Sequence, residues 1–143
     1  MKQFYYRFII PENQLSPYGT RYWHSPYHLL AFYEARRAFS ASFGISPEMH
    51  EKLGLTIVPV KATQEWHAPL YVPKGSEVAA LIEVAPVELG EKHITFNYRV
   101  FKEGNEHKKL RVEAKVTIVF TDMKTGKAVL VPDWFSVHIR ALL

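Results

Sequence analysis

The stretch SPYHLLAFYEARRAFSASFG, residues 25–44, carries helix signals at both ends. Ser25 suits an N-cap, and Pro26 suits the first helical position, where a missing N–H costs nothing. Gly44 stands where a helix gives way to a left-handed residue. Between these ends Ala31, Ala35, Ala38 and Ser42 fall on one line at helical spacing, and small residues there let a helix sit close on a sheet. Leu29, Leu30, Phe32, Phe39 and Phe43 flank that line and are expected to supply buried area. The stretch predicts one long core helix.

Around it the apolar period changes from helical to alternating. In KLRVEAKVTIVFTD (109–122), Leu110, Val112, Ala114, Val116, Ile118 and Phe120 alternate with Arg111, Glu113, Lys115 and Thr117, the pattern of a strand with one buried face. HITFNYRVF (93–101) repeats it with Ile94, Phe96, Tyr98 and Val100. The polar KEGNEHKK (102–109) between the two predicts an antiparallel hairpin. EVAALIEVAPVEL (77–89), LTIVPVKATQEW (55–66) and FYYRFII (4–10) also read as strands, and a further apolar run follows a turn at Thr125–Gly126. The expected class is α+β, one long central helix wrapped by a curled antiparallel sheet of about five to six strands.

Composition sets the remaining bounds. The 143 residues, 48% hydrophobic and 22% charged, suit one domain over 1–143 with a packed core. With no cysteine, disulfide and thiolate chemistry are excluded. The opening MKQFYYRFII is too short and too interrupted by Arg7 for a signal peptide or a membrane span, so the expectation is a cytoplasmic location without membrane partners. A net charge of +4 suits an anionic partner such as a phosphate-bearing cofactor or an acidic carrier protein. Apart from HKKLR (107–111) the basic residues are scattered, which argues against nucleic acid.

The order of elements and three local signatures resemble the hotdog-fold thioesterases, in particular the 4-hydroxybenzoyl-CoA thioesterase family and its acyl-CoA and acyl-carrier-protein relatives. YEARRAFSASFGIS (33–46) is similar to that family's helix, with Glu-Ala-Arg and a closing Phe-Gly-Ile-Ser step. KATQEWHAPLYVPKGSEV (61–78) resembles its second strand, with Trp66, Pro69 and Gly75-Ser76 in order. VTIVFTDMKTGKAVLVP (116–132) resembles its final hairpin. The resemblance covers nearly the whole chain. It implies a hotdog fold, a homodimer or homotetramer with a site built across subunits, and hydrolysis of an acyl thioester of coenzyme A or an acyl carrier protein, with no cofactor.

One departure falls on the chemistry. The family carries Asp-x-Asp-x-x-Gly before its helix, and the second aspartate is nucleophile or general base. The matching PENQLSPYGTRYWHSPYH (11–28) has no aspartate. Anchored on Gly19 the two positions are Gln14 and Ser16; counted from the first strand they are Asn13 and Leu15.

The catalytic candidates are therefore His24, Asn13 and Glu34. His24, in HSPY, can take a proton from water; its plain alternative is a loop histidine bonded to a carbonyl. Glu34, of the Glu-Ala-Arg step, reads first as structural, and Glu12 as a solvated charge. By resemblance, the amides of Tyr27 and His28 at the helix N-terminus would hold the thioester oxygen. Tyr18, Tyr22, Trp23, Tyr27 and His28, with Trp66 and His67 across from them, are candidates for the substrate pocket, although aromatic side chains fill cores more often than pockets. No metal is expected: His24 and His28 are four apart, but Pro26 starts the helix between them, and the other histidines are dispersed.

The missing aspartate keeps a non-hydrolytic acyl-CoA or acyl-carrier-protein binding protein as the alternative. A hotdog hydratase would need an Asp beside its His, which is absent. A basic interaction domain of the same architecture would have a filled core under the helix.

Overall fold

The computed structural model describes residues 3–105 and 109–143. The strands are β1 (Phe4–Ile9), β2 (Leu55–Trp66), β3 (Ala79–Leu89), β4 (His93–Lys102), β5 (Val112–Asp122) and the short β6 (Ala128–Val129). They form one antiparallel sheet in the order β1-β3-β4-β5-β2, with β6 beside β5. The β4–β5 connection closes the expected hairpin, and its residues 106–108, which include the first two positions of the basic HKKLR cluster, lie outside the described residues.

The alternation written in the sequence is the alternation seen. Ile94, Phe96, Tyr98 and Val100 of β4 and Val112, Ala114, Val116, Ile118 and Phe120 of β5 are all buried. Register shifts between Pro59 and Lys61 in β2 and between Pro86 and Glu88 in β3 mark bulges. Bulges increase local twist, which helps the sheet curl round the helix.

That helix is α1 (His28–Ala41), entered through a 3-10 turn over Ser25–Tyr27. Its buried stripe is His28, Ala31, Phe32, Ala35, Arg36 and Phe39. The alanines sit against the sheet fully buried. Phe32 stacks on Tyr98 with ring centroids 4.8 Å apart, and Phe39 meets Phe4 and Phe96 edge to face at 5.5 and 5.7 Å. Leu29 and Leu30, expected in the core, are about half exposed. They lie roughly 100° and 200° round the helix from His28, which puts them off the stripe. Gly44 closes the helix with φ 78°, and the Ile45 amide reaches back to the Ser40 carbonyl at 3.1 Å.

Two helices were not expected from the pattern. α2 (Pro47–Lys52) connects α1 to β2, and α3 (Asp133–Arg140) occupies what reads as the end of an apolar run. Phe135 and Ile139 of α3 are buried, and Phe135 packs edge to face on Phe120 at 5.3 Å. No helix among the described residues is long and apolar enough to cross a membrane.

Close contact between α1 and the sheet leaves no room at the alanines. Ala35→Leu is expected to lower the urea unfolding free energy by about 1–3 kcal/mol through overpacking. Ala41→Leu, on the exposed last turn of the same helix, should change it by less than about 0.5 kcal/mol. Equal effects of the two would place Ala35 outside the helix–sheet contact.

Candidate functional site at the start of the central helix

The segment between β1 and α1 is held by its own side chains. Gln14 is buried, accepts a hydrogen bond from the Trp23 indole at 3.1 Å, and through its carbonyl accepts one from the His24 amide at 2.9 Å. Arg21 has φ 58°, a left-handed conformation that costs a side-chain-bearing residue energy. Its guanidinium offsets that cost by gripping both oxygens of Glu12 at 2.7 and 3.0 Å and the Val72 carbonyl at 2.7 Å. Glu12, read from sequence as a solvated charge, is thus the loop's clamp, and the exposed pairing holds its carboxyl below the usual range. Tyr22 is tied to Tyr71 through their hydroxyls at 2.9 Å.

These ties deliver Trp23 and His28 to the centre of the site. Trp23 and His28 are each 2% exposed, with ring centroids 4.3 Å apart, and Trp66 of β2 covers the other side of His28 at 5.3 Å. Gln64 of β2 donates its amide N–H to His28 Nδ1 at 2.6 Å, which leaves the ring proton on Nε2. Nε2 is buried and makes no hydrogen bond of ordinary geometry, although the nearby Trp23 carbonyl slightly favours the protonated ring. Burial dominates, and the His28 pKa falls to about 4, so at neutral pH the imidazole is uncharged.

The other expected site residues divide by position. His24 is half-buried at the mouth of this aromatic box, with its ring 6.2 Å from that of Tyr27. The amides of Tyr27 and His28 do not face a substrate: they donate to the His24 and Ser25 carbonyls within the 3-10 turn. The tight i→i+3 pattern at this helix start consumes the groups that an α-helical start would leave free. Ser25, expected to cap the helix, makes no side-chain cap; its hydroxyl and its own amide have no hydrogen bond among the described residues. Asn13 is exposed in the 3-10 turn before the loop, and Tyr18 is 88% exposed at the loop tip. Glu34 lies further along α1, accepting a hydrogen bond from Tyr6 of β1 at 3.4 Å. The structure therefore brings His24, Ser25, Tyr27, His28 and Trp66 together and leaves Asn13, Tyr18 and Glu34 apart from them.

His67, just past β2, is exposed beside Glu65 at 3.8 Å. With Glu113 these form the group of metal-type ligands that come together among the described residues, within 4.8 Å of one another. Glu113 is also engaged by Asn97 and Arg99.

An apolar cavity of about 140 Å³ lies between α1 and β2, walled by Leu29, Phe32, Ile57, Pro59 and Tyr98 and reaching Tyr33 and Arg36. Gln64 and Arg36 were not expected among the site residues. Both were marked only by spacing: Gln64 stands two before Trp66, on the same strand face, and Arg36 eight after His28, on the same helix stripe.

Residues 23–139 match the model of the thioesterase-like superfamily. The chain belongs to that family. Its architecture is the hotdog fold, shared with solved structures along nearly their full length. A 1,4-dihydroxy-2-naphthoyl-CoA thioesterase from Synechocystis matches with TM-score 0.82 at 16% identity, covering 99% of this chain and 98% of its own. A hypothetical protein from Aquifex aeolicus matches with TM-score 0.79 at 23% identity, covering 98% and 99%. A hypothetical protein from Staphylococcus aureus, solved in complex with CoA, matches with TM-score 0.83 at 15% identity, covering 99% and 84%. At these identities the likeness is one of fold. No curated protein matches the chain in sequence.

The buried imidazole gives this hotdog domain a measurable acid sensitivity. In the unfolded chain His28 takes up a proton near pH 6.5, but in the folded protein not until about pH 4. The stability this contributes is complete above pH 6.5 and is lost as pH falls towards 4, a change of about 3 kcal/mol. His28→Leu should flatten the fall of unfolding free energy between pH 7 and 4 by about that amount. An unchanged slope in urea titrations at several pH values would mean that His28 is not held neutral.

Proposed function

We propose that the chain hydrolyses acyl thioesters of coenzyme A or of an acyl carrier protein at the N-terminal end of α1. The observation that carries this reading is the set of unengaged donors there. The Ser25 amide and hydroxyl make no hydrogen bond among the described residues and stand beside His24, and an apolar cavity lies further along α1 from Leu29. Family membership supplies the reaction class.

In this mechanism the Ser25 donors receive the thioester oxygen, where negative charge develops as the carbonyl becomes tetrahedral. His24 takes a proton from the attacking water. The new C–O bond forms, the C–S bond breaks, and the proton passes to the departing thiolate. His28 is a positioning residue: fixed by Gln64 and walled by Trp23 and Trp66, it holds the helix end in place. Tyr27 and Trp66, partly exposed, flank the entry, with Tyr22 and His67 further out.

The same reading places the chain in a homodimer or homotetramer. Among the described residues β2 ends the sheet, and no strand pairs with its outer edge. Val58, Val60 and Trp66 of β2 and Leu29, Leu30 and Tyr33 of α1 are exposed. Pairing two copies along this edge would cover a stripe that monomeric proteins rarely leave open.

A second reading, acyl binding without hydrolysis, is favoured by one observation: no carboxylate among the described residues joins His24 and Ser25. Glu34 is engaged by Tyr6, and Glu65 alternates to the strand face opposite Gln64 and Trp66.

Thiol release from a panel of short, long and aromatic acyl-CoAs and acyl-carrier proteins separates the two. Hydrolysis predicts turnover that falls by about 10²- to 10⁴-fold in His24→Ala and about 10²-fold in Ser25→Ala. Acyl-CoA that raises the melting temperature while releasing no thiol would establish the binding protein instead.

A further inference from the structure

Arg36 stands out on the buried stripe of α1. The residue is 7% exposed, yet its guanidinium makes no ion pair or hydrogen bond among the described residues. The half-buried arginines are all engaged: Arg21 on Glu12 and Val72, Arg99 near Glu83 and Glu113, Arg111 on the Pro69 carbonyl. A guanidinium cannot shed its proton in proteins, and a buried charge without a partner is strongly unfavourable. Burial pushes the Arg36 pKa down, the Tyr98 and Tyr33 hydroxyls oppose that, and Arg37 adds to it; no carboxylate contributes.

The space round this charge is shaped. The Arg36 side chain leans back along α1, with Cζ 5.3 Å from the centre of the Tyr33 ring. Its nitrogens are not sealed by protein. Arg36, Tyr33 and Ile57 line both the apolar cavity of about 140 Å³ and a neighbouring one of about 190 Å³ that also takes in Ser40 and His50. Tyr98, buried under Phe32, lines the same 140 Å³ cavity near Arg36, and its hydroxyl has no hydrogen-bond partner among the described residues. An apolar cavity of about 150 Å³ takes a benzene-sized group. From Leu29 at its near end to Arg36 at its far end is seven residues of helix, about 10 Å.

We propose that Arg36 and the Tyr98 hydroxyl bind a carboxylate at the far end of a medium-length acyl group, whose apolar body fills the cavity between α1 and β2. The substrate class is then an ω-carboxyacyl thioester, the half-thioester of a dicarboxylic acid. This rests on the thioesterase reading for its near end, where the thioester carbonyl meets Ser25. The Arg36 end stands on its own geometry.

The test compares kcat/KM for thiol release from suberoyl-CoA and octanoyl-CoA, which differ at the far end. Wild type should prefer the carboxylated substrate by about 10- to 100-fold, the worth of a hydrogen-bonded charge. Arg36→Met should bring the ratio to about one or below, with Arg36→Lys between. Equal use of both substrates by wild type overturns the proposal and leaves the thioesterase standing. If no substrate is hydrolysed, the thioesterase reading fails and thermal shift decides the Arg36 site. Octanoate stabilising wild type more than octanamide does, with the difference lost in Arg36→Met, supports the site; no difference overturns it. The ligand-free proteins provide a further check. Arg36→Met should melt at or above the wild-type temperature, because it removes an unpaired charge. A drop of several degrees would mean that a carboxylate of a second copy already pairs with Arg36, and the proposal would fall.

Discussion

The hydrogen bond from Gln64 to His28 joins the two halves of this fold at the place where its chemistry is read. It links the first residue of α1 to β2, an edge strand whose ladder partner among the described residues is β5. Because Gln64 donates, His28 must accept on Nδ1, and burial keeps it from charging. A charged imidazole could not accept that bond. Helix start, β2 position and imidazole protonation state are therefore one linked condition. The aromatic walls of Trp23 and Trp66 maintain it by excluding water.

The helix carries two kinds of buried polar residue with opposite electrostatics. His28 meets the cost of burial by remaining neutral. Arg36, two turns on, has no such option and remains a cation next to Tyr33 and Tyr98. Between them lies the apolar stretch of Leu29, Phe32 and the facing β2 residues. One face of one helix thus presents neutral donors at its start, an apolar run, and a fixed positive charge. The loop carries no aspartate in either register, Gln14 and Ser16 or Asn13 and Leu15, and its buried Gln14 holds Trp23 instead.

Much of the architecture was legible from periodicity. The strict alternation in β4 and β5 can satisfy only one buried face, and Gly44 marked the helix end because its φ is positive. The start of α1 was read too early. Ser25-Pro26 looks like a cap followed by a first turn, but it folds as a 3-10 turn that ties up the His28 amide and leaves the His28 ring, not its amide, at the centre of the site. The buried stripe runs through His28, Ala31, Phe32, Ala35, Arg36 and Phe39 rather than along the expected line of Ala31, Ala35, Ala38 and Ser42, although the spacing of His28 with Phe32, Ala35 and Phe39 is legible in the sequence. What spacing could not show was the partner: Gln64 is thirty-six residues away in sequence. α2 and α3 escaped because each is shorter than the window over which helical period shows. Their proline starts, Pro47 and Pro132, with Glu48 and Asp133 following, were the available signal. The exposure of Leu29, Leu30 and much of β2 was equally hidden, since an edge meant for another surface carries the same residues as a core.

The most direct test of this account is nitrogen-15 NMR of the His28 ring through a pH titration. The account predicts a neutral imidazole protonated on Nε2, with Nδ1 showing the shift of a hydrogen-bond acceptor, and a midpoint at about pH 4. A midpoint near 6.5, or a ring protonated on Nδ1 at neutral pH, would contradict it. Either result would mean that the helix start is not locked to β2 in the way on which the site depends.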